Sequence, residues 1–470
     1  MAEPAPSPLW TSAEIATAVG GRIEGAPFDV HGVSIDSRSI EPGDLFVALA
    51  GERDGHGFVE GAMAKGAAAA LVSRTIGGPD ILVDDTFQAL ERLGEAARDR
   101  AATARRAAVT GSVGKTSVTQ AIAAALKLAG PSHNSVKSYN NHIGVPLTLA
   151  RMPRETERAV FEIGMNHADE ITPLSRMVRP HVAVVTIVGP VHVENFPDGE
   201  VGVARAKAEI FAGLEGGGVA ILNADDTWFP LLSDAARARG AEVRTFGKAA
   251  GSTARLAGFE AGEGGSVVIA EVEGRRLRFP LTQTGAHWGP NALATVLAVE
   301  ALGAPVETAL EALAGFAPLV GRGAETRLQL DSGEIVLIDE SYNANPVSMR
   351  AALHTLGARK GARRKIAVMT DMLELGADSG EVHAALVEPL MQAGVDLLFA
   401  AGPDMKRLVD ALPPAHRGGW ATTAAELAPL VVAALRDGDV AMVKGSNGSR
   451  ASAVVEAIKA AGQTGSGKTR

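Results

Sequence analysis

Ala108-Val-Thr-Gly111-Ser-Val-Gly114-Lys115-Thr116-Ser117 is the stretch whose reading decides the fold. The apolar run Arg106–Thr110 leads into it and reads as a buried strand. The alanine-rich run Thr116–Ala129 leads out as a helix, stopped by Gly130-Pro131. Strand, glycine-containing turn and helix, in that order, make a phosphate loop. The glycines let the backbone approach phosphate oxygens, and the helix start aims amides and a partial positive charge at them. Gly111 and Gly114 supply the approach, with Ser112 and Val113 between them. Lys115 can reach the β- and γ-phosphates, and the Thr116 hydroxyl, with Ser117 beside it, can ligate Mg2+. The first glycine of the usual pattern is missing, because Val109 stands there. The alternative is a plain strand–loop–helix with a solvated lysine, which has no need of glycine, lysine and hydroxyl at these offsets. A second stretch, Gly462-Gln-Thr-Gly-Ser-Gly467-Lys468-Thr469, fits the full spacing better and still reads as coincidence. A helix rather than a strand precedes it, and one residue follows it.

Outward from the loop, short apolar runs alternate with helical patterns. Ala159–Gly164, Val182–Gly189 and Val219–Asn223 read as strands in the middle of the chain; Ile335–Asp339, Ile366–Asp371, Val395–Ala400 and Val440–Lys444 do so near its end. Met63–Leu71 and Gln120–Leu128 read as alanine-rich helices. Such alternation predicts an α/β protein with mostly parallel sheets. Ser266–Leu281 reads as a hairpin turning at Glu273-Gly274, an antiparallel addition to the central sheet. At ~100–200 residues per domain, the 470 residues suggest three domains. Composition breaks place them at 1–104, 105–316 and 317–461, with 462–470 as a flexible tail.

The 46% hydrophobic and 21% charged composition is that of a globular chain. The chain has no cysteine, which excludes disulfides, thiol nucleophiles and thiolate metal sites. A net charge of −9 argues against a nucleic-acid-binding surface. No membrane span and no secretory leader are visible, so cytoplasmic residence is expected. No exposed apolar stripe demands a second copy, so a monomer is expected.

Downstream of the loop, chemistry-bearing residues fall at strand ends, where open parallel sheets bind ligands. Glu162 lies on the strand after the loop, followed by Asn166, and a carboxylate there is a natural Mg2+ ligand. His192 follows the next strand. Lys207, by spacing alone, is a surface lysine on a helix. Asn223-Ala-Asp225-Asp226 closes a strand where a base or ribose could be held. Asp339, Asp371 and Lys444 end three C-terminal strands; each could equally cap a helix.

With these pieces in line the chain resembles the Mur ligase family, the ATP-dependent amide-forming enzymes of peptidoglycan synthesis. The family's shortened phosphate-loop pattern, T-G-x-x-G-K-[ST], matches Thr110–Thr116. The resemblance implies that Glu162 and His192 ligate Mg2+, that Lys207, before Ile210-Phe211, is carbamylated and helps hold a second Mg2+, and that His287 and Asn291 contact adenine. It implies a small α/β N-terminal UDP-binding domain, a central domain like a P-loop ATPase, and a C-terminal doubly wound, Rossmann-like domain. Ser37 and Arg38 in the Asp36–His56 stretch match the UDP-sugar-binding part, and Asn140 and Asn141 match a muramoyl-peptide loop. Asp339-Glu-Ser-Tyr342-Asn343-Ala-Asn345-Pro346 points to the branch that adds D-Ala-D-Ala to UDP-N-acetylmuramoyl-tripeptide. The implied site has Lys115, Lys207, His192 and Glu162 as catalytic groups and Thr116 as a further metal ligand. Arg322 and Asp339 join the nucleotide side, and Asn166 and Lys444 the substrate side. Closure of the domains around the site is expected to exclude water from an acyl phosphate.

Two positions depart from the family pattern. Thr370 stands where a glycine usually precedes Asp-Met, and Arg450 lies further from Lys444-Gly445-Ser446 than expected. Other readings compete: the tripeptide-forming ligase, a folylpolyglutamate-type ligase, and a P-loop ATPase without ligase activity. The last would not need Glu162, His192 and Lys207 together.

Overall fold

The computed structural model describes residues 7–465 apart from Glu52, Lys137, Glu263 and Pro318. Its strands form three large sheets and a two-stranded ribbon. The first sheet runs Arg22–Glu24, Asp80–Leu82, Ala69–Val72, Asp44–Val47, Gly32–Ser34, parallel except at its first pair. One expectation is corrected here. The helical reading of Met63–Leu71 holds only to Ala64, and Ala69–Val72 is a strand. Gly66, at φ 98°, turns the chain between them. The strand is wholly buried between two parallel neighbours, and that burial overrides alanine's helix preference.

The central sheet has nine strands. Arg105–Thr110 lies between Arg158–Glu162 and Val182–Val185, both parallel to it. This order positions the site: Glu162 pairs with Val109 and Val185 with Thr110, so both flanking strands end level with the phosphate loop. Helices Lys115–Ala129 and Trp288–Ala301 cover one face through Val118, Ile122, Leu126, Leu293 and Leu297, packed on Val109 and Val184. The expected hairpin is present as Gly265–Val272 and Arg275–Leu281, with Glu273 and Gly274 both at positive φ in the turn.

The opposite face of the central sheet shares one apolar cluster with the first sheet, running from Leu45 and Leu71 through Leu93 and Leu147 to Phe161 and Val185. The third sheet is different. Its six strands run Ala324–Leu330, Gly333–Glu340, Asp439–Lys444, Arg364–Thr370, Leu397–Ala401, Arg417–Ala421, parallel after the first pair. Side-chain alternation sends Ala367 and Met369 to one face and Ile366 and Val368 to the other. Helices Pro346–Gly357 and Pro403–Ala411 cover the first face, and Ala424–Ala434 and Ser452–Gly465 the second. Both clusters are built from residues of this C-terminal region alone.

The last helix continues through Gly465, so the first four residues of the expected tail are helical, and Gly462 is buried. Gly467-Lys468-Thr469 lies outside the described residues. Among the described residues, no helix is long and apolar enough to cross a membrane.

Candidate active site

The phosphate loop is shaped by two glycines whose positive φ would strain any other residue. Gly111 sits at φ 144°, where a Cβ would run into the Thr186 hydroxyl, and Gly114 at φ 87° has the Asn291 side chain 3.2 Å from where its Cβ would be. Thr186 Oγ1 donates to the Val113 carbonyl at 2.5 Å, tying the loop to the neighbouring strand end. Lys115 Nζ donates to the Gly111 carbonyl at 2.6 Å. Burial holds the Lys115 ammonium below the ordinary lysine range; the Glu162 carboxylate opposes this and Arg322 adds to it.

A cavity of about 450 Å3 opens over this loop. Ser112, Val113, Gly114, Lys115, Thr116 and Ser117 form its floor, and Glu162, Asn140, Asn166 and His192 one wall. His287 and Asn291, at the start of helix Trp288–Ala301, form another wall. The C-terminal region closes it with Arg322, Tyr342, Asn343, Asn345 and Lys444. Residues far apart in sequence therefore meet in one space.

Asn140 Nδ2 donates to Glu162 Oε1 at 2.6 Å, and Glu162 Oε2 is buried with no hydrogen-bond partner. An orphaned carboxylate oxygen on the cavity wall, with the Thr116 hydroxyl on the floor, is a donor set that fits a hard divalent cation completing its shell with water and phosphate.

Lys207 is 2% exposed, its side chain makes no hydrogen bond or ion pair among the described residues, and it lies off the cavity wall. The surface reading of its spacing is thus corrected: its helix packs against the core through Val203, Ala204 and Ala206. Burial, aided by Lys115, pushes its pKa well below the ordinary lysine range. Two residues on, Glu209 accepts from the amides of Asp169, Ile171 and Thr172 and holds the loop after Asn166.

His192 Nδ1 lies 2.6 Å from Glu374 Oε2, across the gap between the central and C-terminal regions. Burial lowers its pKa, Glu374 opposes that, and Lys115 and Lys207 reinforce it. Tyr342 Oη donates to Ser138 Oγ at 2.9 Å, and the Arg322 guanidinium stacks 4.2 Å over the Tyr342 ring.

Other expected residues are used differently. Asp339 is buried, accepts from the Ser341 amide and hydroxyl, and is not on the cavity wall. Strand alternation turns its neighbour Glu340 inward instead, 3.3 Å from Lys444 Nζ. Asn141 Oδ1 accepts from the Ile143 and Gly144 amides, capping the following helix rather than facing the cavity. Asn345 lines the cavity while its side chain caps helix Pro346–Gly357. Asp371 accepts from Met405 N at 2.8 Å at the start of helix Pro403–Ala411, so it is a helix cap and not a ligand-edge group. Asn223 lines the cavity, whereas Asp225 and Asp226 are bonded to nearby amides.

Ser37 and Arg38 do not line this cavity; they lie in the turn after strand Gly32–Ser34 of the N-terminal sheet. Arg38 pairs with Asp36 through Nε and Nη2, the latter at 2.7 Å, while its side chain stays exposed, and Lys65 Nζ donates to the Ser37 carbonyl at 2.8 Å. Ser138, Glu340 and Glu374 are site residues that sequence reading missed. Glu340 stands inside the quoted Asp339–Pro346 stretch and Ser138 two residues before Asn140; Glu374 follows the strand Arg364–Thr370 by four residues, and only its distance from His192 marks it.

Family models match in three places: "Mur ligase family, catalytic domain" at 29–112, "Mur ligase middle domain" at 109–299 and "Mur ligase, glutamate ligase domain" at 326–447. A relative from Bacillus subtilis, named UDP-N-acetylmuramoyl-tripeptide–D-alanyl-D-alanine ligase, is 36% identical over 83% of this chain and 85% of its own length. One of the same name from Rickettsia prowazekii is 30% identical over 95% of this chain and 99% of its own. The crystal structure of MurF from Acinetobacter baumannii superposes with a TM-score of 0.84 at 29% identity, covering 97% of this chain and all of that one. MurF from Thermotoga maritima, in complex with ADP, shares the fold with a TM-score of 0.77 at 24% identity, covering 92% of this chain and 98% of that one.

Proposed function

Because this chain belongs to the Mur ligase family, we propose that it joins D-Ala-D-Ala to the peptide carboxylate of UDP-N-acetylmuramoyl-tripeptide, turning ATP into ADP and phosphate. The observation that carries this reading is the single cavity in which the phosphate loop, the Glu162–Asn140 pair and the C-terminal Tyr342–Lys444 group meet. A nucleotide-only ATPase has no use for the last two sets.

A carboxylate and an amine do not condense in water unaided. Transfer of the γ-phosphoryl group to the carboxylate gives an acyl phosphate; the amine adds to its carbonyl carbon, and phosphate leaves. Such transfer depends on positioning and charge neutralisation. The amides of the Ser112–Thr116 turn cradle the phosphates, and Lys115 exchanges the Gly111 carbonyl for the β- and γ-oxygens. Phosphate charge favours the cationic form of Lys115, which burial disfavours. Arg322, held on the Tyr342 ring, faces the transferring group from the C-terminal side. His287 and Asn291 take the adenine side.

Thr116 and Glu162 would hold one Mg2+, and Glu162, His192 and a carbamylated Lys207 a second; ions bound there neutralise phosphate and carboxylate charges that otherwise repel. The neutral Lys207 amine is the form that attacks the carbon of CO2, losing a proton to leave a carbamate anion. Asn140, Asn166, Tyr342, Asn343 and Lys444 face the acceptor peptide and the incoming dipeptide, and Ser37 and Arg38 the uridine end. The enzyme works as a cytoplasmic monomer of three domains, near 1–104, 105–316 and 317–461.

Phosphate release from ATP and Mg2+ with UDP-N-acetylmuramoyl-tripeptide tests this, with and without D-Ala-D-Ala. Release that needs both substrates, with a UDP-muramoyl-pentapeptide by mass, is expected. Release supported by a free amino acid instead of the dipeptide sinks the proposed specificity.

A further inference from the structure

His192 and Glu374 face each other from two regions that share no apolar core. His192 lies in the loop after strand Val182–Val185, and Glu374 in the loop after strand Arg364–Thr370. Both are non-glycine residues held in the left-handed region, at φ 57° and 63°. Two such residues meeting across an interface mark a constraint set by the interface and not by either loop alone. Their loops pack closely: Glu194 Cβ lies 3.4 Å from the Cβ position of Gly376, itself at φ 70°.

Glu374 Oε2 is 2.6 Å from His192 Nδ1, yet Nδ1 has no aligned hydrogen bond. The Glu374 side chain is 53% exposed and free to turn onto the N–H axis. His192 lines the cavity, and its Nε2 has no hydrogen-bond partner among the described residues. A carboxylate that accepts from one ring nitrogen fixes the proton there and leaves the other nitrogen as a lone-pair donor.

We infer that Glu374 is a positioning residue, brought in by the C-terminal region, which holds the His192 proton on Nδ1 and so presents Nε2 to the cavity as a ligand only when that region is docked. The imidazole is then poised for a metal or substrate group only in the docked arrangement. This inference rests on the proposed function for its purpose, but its test does not.

The test is 15N NMR of histidine-labelled full-length protein without metal or substrates, assigned with a His192→Gln control. Wild type is expected to show His192 with the proton on Nδ1. Glu374→Ala is expected to move His192 toward the Nε2-protonated form, and Glu374→Gln, whose amide oxygen still accepts, to restore the wild-type signal. An Nε2-protonated His192 in wild type, or identical spectra for wild type and Glu374→Ala, overturns the inference. Turnover supplies the second readout. Glu374→Ala is expected to lose ~10–100-fold in kcat, as loss of a ligand's supporting partner does, with Glu374→Gln largely restored. A rise in the KM for the dipeptide alone, with kcat unchanged, would make Glu374 a substrate contact and overturn the positioning role. If the product assay fails while the spectra behave as expected, the proposed substrate is wrong and the positioning role stands.

Discussion

The Tyr342 hydroxyl donates to Ser138 Oγ at 2.9 Å, and Ser138 Oγ in turn lies 3.5 Å from Thr116 Oγ1. A loop of the C-terminal sheet is thereby linked through Ser138 to a hydroxyl in the first turn of the phosphate-loop helix. The same tyrosine ring carries the Arg322 guanidinium. One side chain thus links domain docking to the nucleotide end of the cavity through two separate contacts.

Tyr342→Phe removes the hydroxyl link and keeps the ring under Arg322. A net hydrogen bond is worth ~0.5–1.5 kcal/mol, so kcat/KM should fall roughly 2–10-fold with thermal stability unchanged. Tyr342→Ala, which also frees Arg322, should fall further. Equal losses in steady-state assays of the two variants would show that the stacking contributes nothing.

Glu162→Gln keeps an acceptor for Asn140 Nδ2 but removes the charge beside the orphaned oxygen. Turnover should drop by at least ~100-fold, since a ligand matters more than the partners that support it. Nucleotide binding measured calorimetrically in EDTA should be unchanged, while the gain on adding Mg2+ should shrink. A variant with the full Mg2+ gain would remove Glu162 from the metal site.

Lys207→Met tests the buried amine through stability. The folded-state pKa of Lys207 is lowered, whereas in the unfolded chain it is ~10.4. Between those two values the unfolded state holds more protons, so raising the pH stabilises wild type. Methionine does not titrate. In CO2-free buffer the variant's Tm advantage should be greatest below the folded pKa and should shrink as the pH climbs toward ~10. A pH-independent difference would mean that the lysine charge is compensated in the folded protein. Added bicarbonate should narrow the gap at neutral pH by converting the wild-type amine to a carbamate.

Asp371→Ala should cost ~0.5–2 kcal/mol of stability, the usual penalty for a lost helix cap. Its kcat should stay within about twofold of wild type, because the Asp371 carboxylate is bonded to helix amides and does not line the cavity. A large loss of turnover without loss of stability would return Asp371 to the ligand-binding edge.

Local sequence was a reliable guide where local forces decide. Val219–Asn223 has the bounds its apolar run predicts, and the helix after the phosphate loop begins within one residue of its expected start. The Glu273-Gly274 turn needed only its own two residues. Ala69–Val72 was misread because alanine content reports a local preference, while burial between two parallel strands is a tertiary fact. Asp339 and Glu340 show the same limit at the site. Both are acidic and adjacent, and strand alternation alone chooses which one faces the cavity. Asn141 and Asp371 carry the right chemistry and spend it on backbone amides.

The sequence by itself determined the phosphate loop, the strand–helix alternation and the chemical types available to the site. Those follow from the spacing of glycine, lysine, hydroxyl and apolar residues along the chain, which is information held within a few turns of backbone. Only the tertiary structure decided the assembly. Sheet order set Glu162 and His192 on either side of the loop, core packing buried Lys207 and lowered its pKa, and docking of the C-terminal region brought Tyr342 to Ser138 and Glu374 to His192. Burial and contact between residues up to 204 positions apart depend on how the sheets pack, and no local pattern encodes that.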